Sequence, residues 1–378
     1  MTQEYRICTR CIMDISDSEI TFDENGICCH CKTYEAKARA GLYQGKAGRE
    51  MLNKLIRVVR ERGKNKKYDC IIGLSGGVDS SMVAFQVKKL GLRPLAVHLD
   101  NGWDSELSVF NIENIVKKLD IDLYSYVLNW EEFKDLQLSF LKASVMNCEG
   151  PTDHAIVAIL YHLAADNGIR YIFSGSNIIS EAILPASWGY DSKDWRHIKA
   201  VHKKLGNVKL TTFPRLTLFH FAYYTFVKQI GFIPILNYID YNRKDAINVL
   251  KHELGWEEYG AKHCESIYTR FFQTYILPKK FNIDKRRAHL STLVCSGQIT
   301  REDALKEIAR EPSSTDSLEQ DRQYFIKKFD FTEEEFNSIM SAPTKSFKEY
   351  PNNYFWFEKL SFIVHFAHRK ATHKAPLT

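Results

Sequence analysis

Between an apolar run with strand character and a segment with helical periodicity lie the residues Ser75-Gly-Gly-Val-Asp-Ser-Ser81, and this junction limits the possible folds more than any other part of the chain. Paired glycines, Gly76 and Gly77, let a backbone approach an anion without a Cβ in the way. Ser75, Ser80 and Ser81 add hydroxyls beside the free amides of a helix N-terminus, where negative charge is favoured. Leu74 leads from the strand into the loop. The loop suits pyrophosphate. It lacks the GxxxxGK[ST] spacing, and its helix opens with Asp79 where a kinase or GTPase loop carries Lys, so it belongs to neither class.

Around the loop the pattern alternates. YDCIIGLS, RPLAVHLD, DLYSYVL and RYIFSG read as short β-rich strands, separated by helical periodicity at 79–90, 105–119 and 152–167. Repeated βαβ units of this kind imply an α/β fold with a parallel sheet and helices on both faces, binding its ligand at the carboxyl ends of the strands. Residues 50–240 are assigned to this domain. Helical signals dominate 241–378, including helix-start patterns at Thr300-Arg-Glu-Asp303 and Thr332-Glu-Glu-Glu335, which implies a mainly helical C-terminal domain. Residues 311–319 (EPSSTDSLE) read as an exposed connection.

The nine cysteines come without a secretory signal, so a reduced, cytoplasmic protein is expected and metal binding is the first explanation to test. Cys8-x-x-Cys11 and Cys28-x-x-Cys31 stand sixteen residues apart, the spacing of a four-cysteine zinc site. Four thiolates saturate zinc, so a structural knuckle over residues 1–40 is expected. Cys29 and His30 offer replacement ligands. The most membrane-like region, 213–236, is interrupted by Arg215, His220 and Lys228 and reads as buried core or partner surface, not as a transmembrane segment. A formal charge of +6 suits an anionic substrate without pointing to nucleic acid.

SGGVDSS resembles the signature of the PP-loop ATP pyrophosphatases, a Rossmann-like superfamily that splits ATP into AMP and pyrophosphate. The resemblance implies that Asp79 orients the loop and helps to hold magnesium, that His98 and Asp100 lie near the adenosine, and that Gly175 and Asn177 line the nucleotide cleft. A longer set of stretches is similar to the N-acetyl sugar amidotransferases of bacterial lipopolysaccharide O-antigen and surface-polysaccharide biosynthesis. They are CTRCIMDISDSEITFDENGICCHC, GLSGGVDSS, PTDHAIVAI, FSGSN with Glu181, KHCESIYTRFFQTYILPKKFNIDKRRAHLS and SGQITREDAL. That family adenylates an acetamido oxygen with ATP and replaces it with ammonia-derived nitrogen, giving an acetamidino sugar. The chain has no glutaminase nucleophile of its own. The resemblance implies a partner class I glutaminase and a (βα)8-barrel subunit, similar to those of imidazole-glycerol-phosphate synthase.

The match also raises Lys262, Glu265 and Arg270 as catalytic candidates, set against the plainer reading of the charge run as a solvated helix face. A cation there can neutralise an α-phosphate, and Arg can grip it with two hydrogen bonds. Asp153 and His154 open a helix after Gly150-Pro151-Thr152 and are candidates to face a sugar, although Thr152 and Asp153 also suit a helix cap. Trp188 in an aromatic, basic segment is a further candidate for a sugar nucleotide. The aromatic run Tyr354-Phe355-Trp356-Phe357 reads chiefly as core packing. The competing function is tRNA thiolation by a PP-loop enzyme, which needs a sulfur-transferring cysteine pair from the dispersed Cys148, Cys264 and Cys295.

Overall fold

The computed structural model describes residues 4–259 and 264–356, so Lys262 and Phe357 lie outside the described residues. Two helices, α1 (Cys29–Gly41) and α2 (Gly45–Gly63), precede the sheet. The alternation then runs β1 (Cys70–Gly73), α3 (Val78–Lys89), β2 (Pro94–Asp100), α4 (Glu106–Leu119), β3 (Asp122–Val127), α5 (Trp130–Ala143), α6 (Gly150–Asp166) and β4 (Tyr171–Ser174). Short helices α7 (Ile178–Glu181), α8 (Trp195–Leu205) and α9 (Leu218–Ala222) lead to β5 (Gly231–Pro234) and α10 (Arg243–Leu254).

All strand pairs are parallel, in the order β3-β2-β1-β4-β5. Strand alternation explains the two-sided burial. Ile72 and Ala96 point into a core with Leu55, Val59, Val83 and Ile115 from α2, α3 and α4, while Ile71, Leu95 and Val97 point the other way, onto Ile159 and Leu160 of α6. The helix α10, on the C-terminal side of residue 240, packs against α3 and α4, and Ile247 and Leu250 join the first of these cores. Because β1 pairs with β2 on one side and β4 on the other, the chain reverses its direction of travel across the sheet between β1 and β4. A crevice opens at such a reversal beyond the strand ends.

The remaining helices are α11 (Ile267–Phe271), α12 (Leu277–Phe281), α13 (Lys285–Cys295), α14 (Arg301–Ile308), α15 (Thr315–Phe329) and α16 (Glu333–Ser341), with a π-helical turn at Phe272–Ile276 between α11 and α12. Thr300 and Thr332 cap α14 and α16 as their sequences indicate, and Glu335 completes a capping box. The stretch read as a connection at 311–319 is shorter than expected, because Ser314 accepts a bond from Ser317 N–H and starts α15 at Thr315. Except for α14, these helices share one core with α5 and the cysteine knuckle. At its centre Trp103 is fully buried, with Tyr268 and Phe329 rings 5.3 and 5.2 Å away, and its indole N–H donates to Gln137 at 2.8 Å.

A buried carboxylate on α5 fixes the path between α8 and α9. Glu132 accepts bonds from the N–H groups of Thr211, Thr212 and Phe213 at 2.9–3.0 Å and from the Thr211 hydroxyl. Burial pushes its pKa up, but these donors outweigh burial and hold it below the ordinary carboxylate value. A depressed folded pKa gives stability that is present above the unfolded value of about 4.3 and is lost as the pH falls through the folded one. Glu132→Gln is therefore expected to lower the unfolding free energy at neutral pH by about 1.5–3 kcal/mol and to flatten its decline between pH 5 and pH 3, measured by urea titration. An unchanged acid limb would refute this role.

Candidate active site and metal centre

The glycine-rich loop sits at the end of β1, in the crevice. Leu74 N–H still bonds Val97 O at 2.9 Å, after which Gly76 turns the chain with φ +79°. A Cβ at Gly76 would stand 2.9 Å from both Ser108 O and the Tyr259 hydroxyl, so the position requires glycine. Gly77 precedes α3 as its cap residue and has no side chain with which to cap the first-turn amides. Those N–H groups, with the helix dipole behind them, form an anion site. Ser75 and Ser80 hydroxyls lie 3.1 Å apart on the loop, whereas Ser81 is fully buried and donates back to Gly77 O at 2.7 Å. Ser81 thus supports the loop from inside.

Two aromatic donors, unmarked by any sequence motif, fix the loop. Trp256 Nε1 donates to Gly76 O at 2.7 Å and the Tyr259 hydroxyl donates to the same oxygen at 3.1 Å. With that carbonyl engaged from the protein side, it is held away from an anion approaching the turn, whose Ser75 and Gly77 amides have long contacts of 3.3 and 3.4 Å to the loop hydroxyls. Glu265 lies close by, its Oε1 only 3.2 Å from where a Gly77 Cβ would be, and its carbonyl accepts from Ser105 N–H at 2.9 Å.

Asp79, in the first turn of α3, accepts a hydrogen bond from the Tyr241 hydroxyl. Tyr241 is buried; burial, then the Asp79 charge and the nearby Glu181 charge, drive its pKa far above the ordinary phenol value, so the proton stays on tyrosine. Gly175 closes this corner: a Cβ there would lie 3.1–3.2 Å from Asp79. Gln298 holds the tyrosine's backbone, donating to Tyr241 O at 3.1 Å and accepting from Arg243 N–H at 3.2 Å. Glu181, Gly175 and Asp79 thus come together beside the loop.

Other candidates are engaged in holding the crevice's shape. His98 faces two acceptors, Leu74 O and an Asp104 carboxylate oxygen, each at 3.0 Å. Burial lowers its pKa, but Asp104 and the carbonyl raise it by more, which favours a doubly protonated ring. Asp100 accepts from Gly102 N–H at 2.9 Å, and Asn177 caps α7 through Ser180 N–H at 2.8 Å while donating to Gly175 O.

Three candidates are placed elsewhere. His154 is fully buried, with Nδ1 2.7 Å from Ser192 O and Nε2 accepting from Leu216 N–H at 3.0 Å, and its ring packs with Trp195 and Phe213. Burial lowers its pKa to about 4, so it is a neutral core imidazole and does not face a cleft. Trp188 is likewise in the core. Arg270 forms a two-pronged ion pair with Asp321 at 2.7 and 2.6 Å, the partner that raises its pKa, so its guanidinium is committed within the helical domain. Asp153 remains exposed at the start of α6. Beside it, Lys285 pairs with Glu149 at 2.7 Å, and Gln273 donates to the same carboxylate at 3.0 Å.

The knuckle assembles as its spacing indicates. Cys8, Cys11, Cys28 and Cys31 are fully buried and their sulfurs all lie within 4.8 Å of one another, with recorded separations of 3.6, 3.7 and 3.8 Å. A tetrahedron with zinc–sulfur bonds of about 2.3 Å has edges of about 3.8 Å, so the donor set fits zinc. N–H groups of Arg10, Cys11 and Cys28 approach Cys8 Sγ at 3.3–3.4 Å, as suits a thiolate. His30 is not a ligand here, because its Nε2 pairs with Asp17 at 2.6 Å. Cys295 at the end of α13 stands 3.7 Å from Cys31, a fifth thiol that spacing alone did not reveal. The cluster is tied to the helical domain: Arg301 donates to Cys8 O and Cys11 O at 2.9–3.3 Å, and Arg287 to Ile12 O at 2.7 Å.

Two outcomes follow from these contacts. Zinc analysis is expected to give one ion per wild-type chain and almost none in Cys28→Ser, with a lowered melting temperature on chelation; a metal-free wild type of equal stability would overturn the zinc assignment. Tyr241→Phe is expected to cost about 1.5–3 kcal/mol of stability by urea titration, as for a bond to a buried charge, and a neutral substitution would mean that Asp79 does not depend on this donor.

Residues 265–361 match the family described as LPS biosynthesis protein WbpG-like, C-terminal domain. The helical end of the chain is thus similar to that domain, and it follows a parallel sheet that carries a glycine-rich loop. No curated protein matches the chain. Among solved structures, it is similar to an NMN synthetase from Francisella tularensis at 18% identity and a TM-score of 0.29, over 36% of this chain and 57% of that one. It is also similar to an NH3-dependent NAD synthetase from Campylobacter jejuni subsp. jejuni at 19% identity and a TM-score of 0.30, over 42% and 73% of the two chains. A predicted subunit of a tRNA methyltransferase from Methanocaldococcus jannaschii aligns at 16% identity and a TM-score of 0.27, over 48% and 74%.

Proposed function

We propose that the protein is an ATP-dependent N-acetyl sugar amidotransferase of lipopolysaccharide O-antigen biosynthesis, forming AMP and pyrophosphate. The observation that carries this reading is the uncapped α3 amide site at the β1/β4 reversal, in a chain whose helical end is WbpG-like. The acetamido oxygen attacks the α-phosphorus of ATP and pyrophosphate departs. Ammonia then adds to the activated carbon, AMP leaves with the former amide oxygen, and loss of a proton gives the acetamidine.

The chain's residues suit these steps. The amides of the loop, with Ser75 and Ser80, receive the pyrophosphate, where preorganised donors are most effective against developing charge. Asp79 is the loop carboxylate that would hold magnesium, which supplies charge neutralisation when bound. Glu181 and Asp153 are assigned to the sugar, and Glu265, beside the loop, and Lys262 to catalysis at the phosphate. Ammonia is assigned to a partner glutaminase with its barrel subunit.

Thiolation has less support. Cys148 is buried with its thiol donating to Val145 O at 3.1 Å, Cys264 is buried, and Cys295 stands beside the knuckle. These positions do not present an accessible sulfur-transferring pair.

Mass spectrometry of the protein with ATP, magnesium, ammonium and a panel of di-N-acetylated nucleotide sugars and acidic sugars is the test. The expected product is about 1 Da lighter than its substrate, oxygen having been replaced by NH, and forms together with AMP. Asp79→Ala should abolish AMP formation while retaining zinc and the folded circular-dichroism spectrum. Sulfur transfer to tRNA, with no sugar product, would replace this reading.

A further inference from the structure

The longest stretch of one-signed charge in the chain is not at the crevice. From Trp195 to Ile239, 45 residues, there is no Asp or Glu, against seven Lys and Arg. Within it, α9 continues directly into a π-helical turn, Tyr223–Val227, and over these ten residues only Thr225 is buried. The helix is fastened on one side: Phe221 and Tyr224 lie 5.8 and 5.9 Å from Tyr161 of α6, and the Tyr224 hydroxyl is 2.8 Å from His162 Nδ1.

Its other side is apolar and open. Phe219 is 76% exposed, Val227 65%, Phe226 45% and Tyr223 38%. At spacings i, i+4, i+7 and i+8 these side chains form a single stripe, where a surface helix ordinarily carries charge. Cations border the stripe. Lys228 Nζ stands 5.8 Å from the Tyr223 ring, Arg170 donates to Gln229 at 2.9 Å, and the exposed Arg215 holds the His220 ring through its carbonyl at 3.2 Å. The acidic group whose field reaches this helix is Asp166, on α6 behind Tyr224.

We infer that this helix is a docking surface for an anionic phospholipid bilayer, on which Phe219, Tyr223, Phe226 and Val227 enter the boundary between headgroups and acyl chains. Phenyl, phenol and small aliphatic groups beside Lys and Arg are the composition of helices that lie in a membrane interface. Glu132 and Asp135 already face other parts of the acid-free segment, so the complement for anionic headgroups is Arg170, Arg215 and Lys228 beside the stripe, each of which strengthens the attraction. No described helix is long and apolar enough to cross a membrane, so the contact is with the surface. The inference depends only on this face and not on the reaction proposed for the crevice.

The experiment uses the full-length, zinc-loaded protein in sedimentation with vesicles of phosphatidylcholine alone or mixed with phosphatidylglycerol. Binding is expected only with phosphatidylglycerol, weakening as salt is raised. The double variant Phe219→Glu/Phe226→Glu should bind at least about tenfold more weakly, since it removes inserted apolar area and adds like charge. Leu123→Glu, on the exposed face of β3, should leave binding unchanged. Equal binding by wild type and double variant overturns the inference, as does an absence of binding to phosphatidylglycerol. If the wild type is instead dimeric in light scattering and the double variant monomeric, with neither bound to vesicles, the stripe is an interface between copies.

Discussion

The geometry at the crevice depends on one carbonyl. Gly76 O receives two donors, Trp256 Nε1 and the Tyr259 hydroxyl, and both come from the segment after α10. A free carbonyl in a loop of this kind would repel the anion that the neighbouring amides attract. Its two donors hold that oxygen from behind and remove one source of repulsion at the turn. Trp256 and Tyr259 thus brace the loop from the C-terminal half of the chain. The helix before this segment, α10, packs on α3 and α4.

A second tie runs from the knuckle. Cys8, Cys11, Ile12 and Met13 are fully buried, and Ile12 is tied to α13 by its N–H, which bonds Ser291 Oγ at 3.2 Å, and by its carbonyl, which accepts from Arg287. Arg301 binds the knuckle's carbonyls three residues after Gln298 has bound Tyr241, and Tyr241 in turn bonds Asp79. A zinc ion held by the four cysteines would therefore order a surface against which the helical domain is set. It does not act at the crevice itself. The N-terminal and C-terminal parts are mutually dependent in this arrangement, and neither is expected to keep its present packing alone.

What was legible in the sequence was what depends on near neighbours. The strand-loop-helix at 70–89, the two CxxC turns and the caps at Thr300 and Thr332 each rest on residues a few positions apart, and each stands where its pattern indicated. Roles that depend on a distant partner were not legible. Arg270 looks like a cation available to phosphate until Asp321, 51 residues later, is seen to occupy it. His154 follows a proline-started helix and suggests a cleft, but Ser192 and Leu216 fold over it and satisfy both nitrogens. Trp256, Tyr259 and Tyr241 carry no motif, since their only distinguishing property is a polar hydrogen delivered from far along the chain. Cys295 was hidden for the same reason.

The commitment of Arg270 also changes how charge is distributed around the crevice. A guanidinium held in two hydrogen bonds by a buried carboxylate contributes little net field to a ligand, because the pair is nearly neutral and its donors are already used. His98 and Asp104 form another internally compensated pair at the end of β2. Lys285 and Glu149 form a third below the start of α6. With these pairs neutralised, the anion preference of the described crevice rests mainly on backbone amides and the α3 dipole. Such a site recognises the shape and charge of a phosphate chain and still allows the product to leave, which point-charge binding by several free cations would oppose.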